Sequence, residues 1–309
     1  MGEFASSSSS VIQVDDLRKT YKAFVAVDGV SFNVLPGEIF GLMGPNGAGK
    51  TTIVECLQGL RRPTSGSIKV LGLDPSRNIG ALRRRIGSQL QDSELPQRIK
   101  VWEALDLFST ITTGKTKWKK LLQQWDLSEK ANASFSSLSG GQRQRLFIAL
   151  ALVNQPEVVF LDEMTTGLDP VARHVAWDLI KEIRAGGTTV VLVTHFMDEA
   201  EELCDRLAIV DKGKIVALDS PTGLTRKSAS SVRTSFICDG YDISWLKDIS
   251  EVKTVTRKGR TVEVEGTGAV ASRVVAALVN RGIVPVDLKI KHPSLEDVFL
   301  TITGHRIEV

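Results

Sequence analysis

Residues 44–52 read GPNGAGKTT, a glycine-rich run that ends in a lysine and two threonines. The run follows an apolar strand predicted over residues 38–42 and precedes a predicted helix. Backbone N–H groups that converge in such a turn, and the positive end of a helix dipole, both attract phosphate. Lys50 would neutralise the β- and γ-phosphates, the Thr51 hydroxyl would ligate Mg²⁺, and Thr52 would add a phosphate contact. The segment therefore predicts a nucleotide-binding loop.

Two acids follow the apolar run VVFL at residues 158–161. If this run is a parallel strand, Asp162 and Glu163 lie at the carboxyl edge of the sheet, where open α/β folds bind ligands. Asp162 suits a position beside Mg²⁺ and its water, and Glu163 suits a general base that polarises the attacking water in phosphoryl transfer. Alone, the pair would be interpreted as solvated acids. Together with the phosphate loop, they favour a catalytic site.

The segment LSGGQ at residues 138–142 provides a second glycine-rich helix start, because a helix is predicted to follow it. The chain thus carries two phosphate-type sites, and only the first has a lysine and a metal ligand. This difference suggests that the second site completes the nucleotide pocket of another polypeptide.

The composition argues against several other functions. Of 309 residues, 42% are hydrophobic and 24% charged, as in an ordinary globular protein. Lys and Arg number 39 against 36 for Asp and Glu, and the net charge of +3 is too small to indicate a nucleic-acid partner or a polybasic membrane anchor. Cys56, Cys204 and Cys238 lack the spacing of a zinc site or a disulfide framework, which fits a reducing compartment.

The elements that must position these residues follow an α/β pattern. Between Val11 and Leu218, short β-type runs alternate with helical stretches, which predicts a largely parallel sheet. Residues 12–34 instead predict antiparallel strands with a turn near Asp28-Gly29. Residues 1–10 are interpreted as an added leader or a disordered tail, since they lack the apolar core of a signal peptide.

Strand signals fade after Ile86, and we expect a helical subdomain over about residues 88–153. Its helices are predicted at residues 102–110, 116–125 and 142–153. A polar linker, TGLTRKSASS, is predicted after Pro221, and it separates the α/β domain at residues 11–222 from a small α+β domain at residues 223–309. The pattern of the small domain predicts a hairpin around residues 258–260 and helices at residues 269–280 and 295–302.

Taken together, the motifs resemble the ATP-binding cassette of ABC transporters over residues 12–218. GPNGAGKTT is similar to the Walker A motif, VVFLDE to the Walker B motif with Glu163 as the catalytic glutamate, and LSGGQ to the family signature. Met164 is a departure, because the family usually has proline after this glutamate. The resemblance implies an α/β P-loop NTPase of the ABC type, with an antiparallel β flank and a helical subdomain.

The resemblance also gives roles to residues outside these motifs. Gln91 in IGSQLQDSE matches the Q-loop glutamine, which touches Mg²⁺ and the attacking water, and Gln89 is the alternative. Asp169 in TGLDP matches the D-loop aspartate, and His195 in VTH matches the switch histidine that contacts the γ-phosphate. Tyr21 matches the aromatic residue that stacks on adenine, and the alternative is an ordinary strand tyrosine.

The expected site residues fall into three groups. ATP is expected to contact the phosphate loop and the signature, together with Tyr21 and Asp169; the loop and signature residues are Gly44, Pro45, Asn46, Gly47, Ala48, Gly49, Lys50, Thr51, Thr52, Ser139, Gly140, Gly141 and Gln142. Mg²⁺ is expected to be held by Thr51, Gln91 and Asp162. Catalysis is expected from Lys50, Gln91, Glu163 and His195.

The resemblance further implies partners. Two cassettes, expected to be identical copies, would close head to tail around two ATP molecules and drive a separate transmembrane permease. The longest uncharged apolar stretch, residues 146–153, is far shorter than the roughly 20 residues that span a bilayer. We therefore expect a cytoplasmic chain attached to the inner face of the membrane, with no nucleic-acid partner. The tail, including PSLEDVFLTITG, resembles the C-terminal domain of bacterial drug- and antibiotic-export subunits.

Two other functions stay open on the sequence alone. A soluble ABC ATPase of translation or repair usually has two cassettes in one chain or a long coiled coil, and neither pattern occurs here. A non-hydrolytic regulatory cassette would bind ATP only as a dimerisation switch, and the presence of Glu163 and His195 argues against it.

Overall fold

A computed structural model describes residues 10–89, 94–112, 118–227, 232–238, 240–291 and 293–304. The chain divides into two compact units, of which the larger ends at Pro221 and the smaller begins at Thr222. Each unit has its own sheet structure and its own cluster of buried apolar side chains.

The strands of the larger unit form two sheets. They are β1 (Ile12–Tyr21), β2 (Phe24–Val34), β3 (Ile39–Met43), β4 (Ser65–Val70), β5 (Ile86–Gln89), β6 (Val158–Asp162), β7 (Thr189–Thr194), β8 (Arg206–Asp211) and β9 (Lys214–Asp219). The central sheet has the order β5-β6-β7-β3-β8-β9, and its neighbours pair in parallel except β8 and β9. Every residue of β3, β6 and β7 is buried, as expected for parallel strands covered on both faces. The predicted α/β class is confirmed.

The second sheet, β2-β1-β4, is antiparallel, as the alternating pattern predicts. The turn predicted at Asp28-Gly29 is wrong, because both residues lie inside β2 and the chain reverses at Lys22-Ala23. Lys22 has a φ of 52°, the left-handed conformation that two-residue hairpin turns require. Gly29, with a φ of 73°, lies instead at a shift in register between β1 and β2. The Asp28-Gly29 pair therefore lies at a β-bulge and not at a hairpin turn.

The helices of the larger unit are α1 (Lys50–Leu57), α2 (Ile79–Leu82), α3 (Val101–Thr112), α4 (Trp118–Gln124), α5 (Gly140–Ala151), α6 (Pro170–Ala185) and α7 (Met197–Leu203). Helices α3, α4 and α5 lie between β5 and β6 in the chain, where the helical insertion is predicted. Helix α5 begins two residues before its predicted start, because the Ser139 side chain caps it there. No helix in the described part of the chain is long and apolar enough to cross a lipid bilayer.

The smaller unit is an antiparallel sheet with helices. Its elements are α8 (Pro221–Lys227, of which the first residue belongs to the larger unit), β10 (Val232–Ile237), β11 (Val252–Lys258), β12 (Thr261–Gly266), α9 (Val270–Asn280), β13 (Val286–Lys291) and α10 (Leu295–Thr303). The strand order is β11-β12-β10-β13, and the predicted hairpin and both predicted helices are confirmed. The predicted linker is wrong in its first half, because proline suits the first position of a helix and Leu224 is buried.

Candidate active site

The phosphate loop connects β3 to α1 and packs against the backbone of β2 and β8. Gly49 precedes the helix with a φ of 105°, and a Cβ atom on it would lie 2.4 Å from the carbonyl oxygen of Ala26 in β2. A Cβ atom on Gly44 would lie 2.1 Å from the carbonyl oxygen of Val210 in β8. Since either side chain would have to displace backbone, glycine is required at both positions.

Lys50 is the only residue of this loop whose long side chain is buried, at 5% exposure. Its ammonium group donates hydrogen bonds to the carbonyl oxygens of Gly44, at 2.7 Å, and Pro45, at 3.0 Å. Burial lowers the pKa of Lys50, and the negative charges of Glu163 and Asp162 oppose that shift. The lysine therefore lies within electrostatic reach of both predicted acids.

The two acids lie where β6 ends. Asp162 is its last residue and is 2% exposed. Glu163 follows with a φ of 48°, and its N–H donates to the carbonyl oxygen of Val193 in β7 at 2.9 Å. A left-handed backbone costs a non-glycine residue about 1–3 kcal/mol, and such strain is typical of functional sites. Glu163 thus leaves β6 beside the end of β7, at the carboxyl edge of the sheet.

His195 follows the neighbouring strand β7 and meets Glu163. Its Nδ1 atom lies 3.3 Å from Oε1 of Glu163, and the two side chains are 11% and 8% exposed. The strand order explains the contact, because β6 and β7 are adjacent and parallel. A buried carboxylate beside an imidazole can accept a proton from water while the ring contacts a phosphate oxygen.

The signature forms the start of α5. The Ser139 hydroxyl accepts a hydrogen bond from the Gln142 N–H at 3.3 Å, and the Gln142 side chain accepts one from the Ser139 N–H at 3.1 Å. This reciprocal pair satisfies two backbone donors at the helix start. Gly140 and Gly141 would have no neighbour within 4 Å of an added Cβ atom. Space is therefore available next to the backbone of Gly140 and Gly141 at the start of α5.

A concavity of about 700 Å³ joins the signature to the segment after Asp169. Asp169 caps α6 by accepting a hydrogen bond from the Ala172 N–H at 2.9 Å, and Val171 is 75% exposed beside it. Among the described residues, those lining this concavity include none from the phosphate loop. Within one chain, the signature thus faces the Asp169 segment.

Tyr21 and Gln89 are the last residues of β1 and β5. Tyr21 is the last residue of β1, and its ring centroid lies 5.1 Å from Lys19 Nζ and 5.6 Å from the Arg61 guanidinium carbon. Gln91 lies outside the described residues. The alternative, Gln89, is buried and accepts a hydrogen bond from Gln144 of α5 at 3.4 Å, which connects the sheet to the signature helix.

A second concavity, of about 560 Å³, lies beside the helical subdomain. Its apolar lining includes Leu60, Phe108 and Ile111, and these three side chains are exposed. Arg83 and Arg84 border it. The sequence alone predicts that the run Arg83–Arg85 is a solvated helix face, with proximity to acidic lipid or to partner loops as the alternative. The apolar groove beside Arg83 and Arg84 favours partner loops.

Sequence reasoning missed the buried polar residues behind the two acids, Thr165, Thr194 and Glu199. The segment MDEAEEL of α7 reads as an acidic helix start, in which no spacing rule separates Glu199 from its exposed neighbours. Glu199 is buried because α7 packs against α6, β3 and β7.

Comparison with known proteins identifies the family. A family model described as ABC transporter matches residues 27–166. A Nod factor export ATP-binding protein I from Paraburkholderia xenovorans (strain LB400) is 36% identical in an alignment 307 residues long, which covers 97% of this chain and 99% of that protein. This chain belongs to the ABC transporter ATP-binding proteins.

Other relatives of this ABC ATP-binding protein agree. A daunorubicin resistance ATP-binding protein, DrrA3, from Streptomyces coeruleorubidus is 34% identical over 306 residues, covering 96% of this chain and 97% of that protein. A dimeric ATP-binding cassette bound to ADP and phosphate superposes with a TM-score of 0.62 and 27% identity, over 68% of this chain and 98% of that chain. The chain is thus the ATP-binding, ATP-hydrolysing subunit of an ABC transporter, a family whose cassettes dimerise and work with membrane components.

Proposed function

We propose that two copies of this chain close head to tail on two ATP molecules and so drive a separate transmembrane permease. Each pocket uses the phosphate loop, Asp162 and Glu163 of one copy, and the signature and Asp169 of the other. The observation that carries the proposal is the division of the site. Lys50, both acids and His195 converge at one sheet edge, whereas the signature faces the Asp169 segment in a separate concavity.

In this proposal, hydrolysis proceeds by attack of water on the γ-phosphorus. Glu163 polarises the water and accepts its proton as the new P–O bond forms, and the bond to the β–γ bridging oxygen breaks to leave ADP. His195, held 3.3 Å from Glu163, contacts a γ-phosphate oxygen. Lys50 exchanges its loop carbonyls for phosphate oxygens, and Tyr21 stacks on the adenine ring.

The oxygen donors at the site suit Mg²⁺. The Asp162 carboxylate is almost fully buried at the end of β6, and the Thr51 hydroxyl is in the first turn of α1. A carboxylate and a hydroxyl are hard ligands of the type that Mg²⁺ prefers alongside substrate phosphates. When bound, Mg²⁺ would neutralise charge on the β- and γ-phosphates. We propose that Thr51 and Asp162 hold it, with Gln91 as a third ligand.

ATP acts in this proposal as the link between the two copies. The signature N–H groups and Ser139 of one copy gain a γ-phosphate to bind only while the nucleotide of the other copy is intact. Hydrolysis removes that differential contact, and the two copies can separate.

We propose that the permease docks at the groove of about 560 Å³ beside the helical subdomain. Exposed apolar side chains of this kind, bordered by charged ones, are typical of protein interfaces. Leu60, Phe108 and Ile111 would cover an apolar face of a permease segment, and Arg83 and Arg84 would contact its polar edge. The chain would then lie at the cytoplasmic face of the membrane.

The proposed transport is export of a drug or antibiotic. The Streptomyces relative is named for daunorubicin resistance and the Paraburkholderia relative for Nod factor export, and both match nearly the whole chain. We propose the cassette at residues 11–222 and an accessory C-terminal domain at residues 223–309. The division between compact units at Pro221 supports this boundary.

Steady-state ATPase assays test the catalytic part of the proposal. We expect Lys50→Ala to lose nucleotide binding, and Glu163→Gln to keep binding while turnover falls at least 100-fold, since a general base contributes 10²–10⁴ in rate. Equal turnover of wild type and Glu163→Gln would contradict the catalytic assignment. Co-purification with a multi-helix membrane protein, lost when Phe108 and Ile111 are changed to Asp, tests the permease groove.

A further inference from the structure

A buried carboxyl group lies behind the predicted catalytic pair. Glu199 of α7 is fully buried, with an exposure of 0%. Oε1 of Glu199 accepts a hydrogen bond from Nε1 of Trp177 in α6 at 3.1 Å. Burial raises the pKa of this carboxyl, and hydrogen bonding by Thr194, Thr165 and Trp177 opposes the shift, as does the charge of Arg173. Burying a carboxyl group costs free energy unless the group is hydrogen-bonded.

The neighbours of Glu199 belong to the loops that carry the catalytic pair. Thr165 is two residues after Glu163, and Thr194 immediately precedes His195. Thr194 also accepts a hydrogen bond from the Phe196 N–H at 3.0 Å, which leaves its hydroxyl hydrogen available as a donor. The hydroxyl groups of both threonines act on the pKa of Glu199, so this carboxyl group lies near the chain after Glu163 and near the chain before His195.

The contact with Thr165 is the looser of these connections. Neither Oε2 of Glu199 nor the Thr165 hydroxyl has a partner of full hydrogen-bond geometry among the described residues, although the two groups are close enough to affect the pKa of Glu199. Both residues are completely buried. The structure thus encloses two polar groups near each other that have no other hydrogen-bond partner among the described residues.

Helix α6 holds the same segment from the other side. The Arg173 guanidinium carbon lies 4.0 Å from the centroid of the Phe196 ring, and Nη1 of Arg173 lies 3.5 Å from Asp198. Trp177, one turn further along α6, supplies the bond to Glu199. The helix that begins at Asp169 and the segment that follows His195 are thus packed as one piece.

We propose that Glu199 is a positioning residue for ATP hydrolysis, whose carboxyl group fixes the loops after Glu163 and before His195 so that the pair keeps its reactive geometry. The inference rests on the roles proposed above for Glu163 and His195. Because its side chain has no exposed surface, Glu199 acts through its neighbours and not by contact with the nucleotide.

This role predicts a specific kinetic effect. A displacement of about 1 Å at a reacting group can lower turnover by 10²-fold. Most of the ATP contacts proposed for the same copy, from Lys50, the phosphate loop and Tyr21, lie on other segments. A change at Glu199 should therefore lower kcat and leave KM for ATP unchanged.

Glu199→Gln in the full-length chain tests the inference, because glutamine has the same size but replaces one carboxylate oxygen with an NH2 group, which cannot accept a hydrogen bond from the Thr165 or Thr194 hydroxyl. We expect kcat to fall at least tenfold, with KM for ATP and the affinity for an ATP analogue within twofold of wild type. Trp177→Phe is the matched control. It removes a partner of Glu199 outside both catalytic loops, and we expect its kcat within threefold of wild type.

Thr165→Val and Thr165→Ser provide an independent pair that does not alter the acid. We expect the valine variant to lower kcat like Glu199→Gln, the serine variant to restore it, and the Thr165→Val/Glu199→Gln double variant to lose no more than either single variant. Unchanged kcat in both Glu199→Gln and Thr165→Val, or KM rising as much as kcat falls, would overturn the inference. Loss of turnover in Glu163→Gln, measured in the same assay, shows separately whether the catalytic proposal itself holds.

Discussion

Replacement of Gly49 by alanine tests whether the phosphate loop needs its close contact with β2. The residue has a φ of 105°, a conformation that costs a non-glycine residue about 1–2 kcal/mol. The added Cβ atom would lie 2.4 Å from the Ala26 carbonyl oxygen, so loop or strand must move by about 1 Å to reach normal contact. Such overpacking costs about 1–3 kcal/mol. We expect a total loss of about 2–5 kcal/mol in the free energy of unfolding.

Gly72→Ala is the matched control. Gly72 has a φ of 77°, and no atom lies within 4 Å of its added Cβ, so it carries only the conformational cost of about 1–2 kcal/mol. In a unit of this size, 1 kcal/mol lowers the melting temperature by about 2–4 °C. Thermal unfolding and titration with a fluorescent ATP analogue measure both effects. We expect Gly49→Ala to melt well below Gly72→Ala and to bind at least tenfold more weakly, because α1 begins at the next residue.

Equal melting temperatures for Gly49→Ala and Gly72→Ala, with wild-type nucleotide affinity in both, would refute this reasoning. That result would mean that the loop moves without cost and that its contact with Ala26 does not shape the site.

Three further predictions address other parts of the molecule. Tyr21→Ala should raise KM for ATP about tenfold in steady-state assays and Tyr21→Trp should not, since stacking of a base on an aromatic ring contributes about 1–3 kcal/mol; equal KM values would contradict adenine stacking. Burial raises the pKa of Cys56 to about 11 and raises that of Cys204 further. Both thiols should therefore resist alkylation at pH 8 in the native protein and react after denaturation, which mass spectrometry can measure. Rapid labelling of the native protein would refute their burial. The hydrogen bond with Arg85 lowers the pKa of Glu157. Above the unfolded pKa near 4.5, this exposed pair should therefore add less than about 1 kcal/mol to the free energy of unfolding, and that contribution should be lost as pH falls through the lowered folded pKa. A stability difference between wild type and Glu157→Gln that grows on acidification would contradict this.

The sequence predicted those parts of the site that depend on local chain geometry. The glycines before Lys50 and the strand before Asp162 can each be recognised from about ten consecutive residues of the sequence. The same is true of Ser139, whose capping partner Gln142 is three residues away. Local spacing therefore sufficed to place the phosphate loop, the acids and the signature on the correct elements.

The parts that the sequence did not predict depend on contacts between distant segments. Glu199 is buried because α7 packs against α6, β3 and β7, and its neighbour Thr165 is 34 positions away in the chain. The hairpin turn was misplaced because Gly29 permits a bulge as readily as a turn, and pairing with β1 selected the bulge. The groove beside the helical subdomain is lined by several separate segments of the chain, so no local pattern could reveal it.

The central claim is that intact ATP links two copies of this chain. Its most direct test is the mass of Glu163→Gln in solution, measured by light scattering with Mg²⁺ and ATP, and again with Mg²⁺ and ADP. The proposal predicts a dimer of twice 33.7 kDa with ATP and a monomer with ADP, and predicts that Ser139→Arg in the same background prevents the dimer. A monomer under both conditions, with ATP shown to be bound, would contradict the claim.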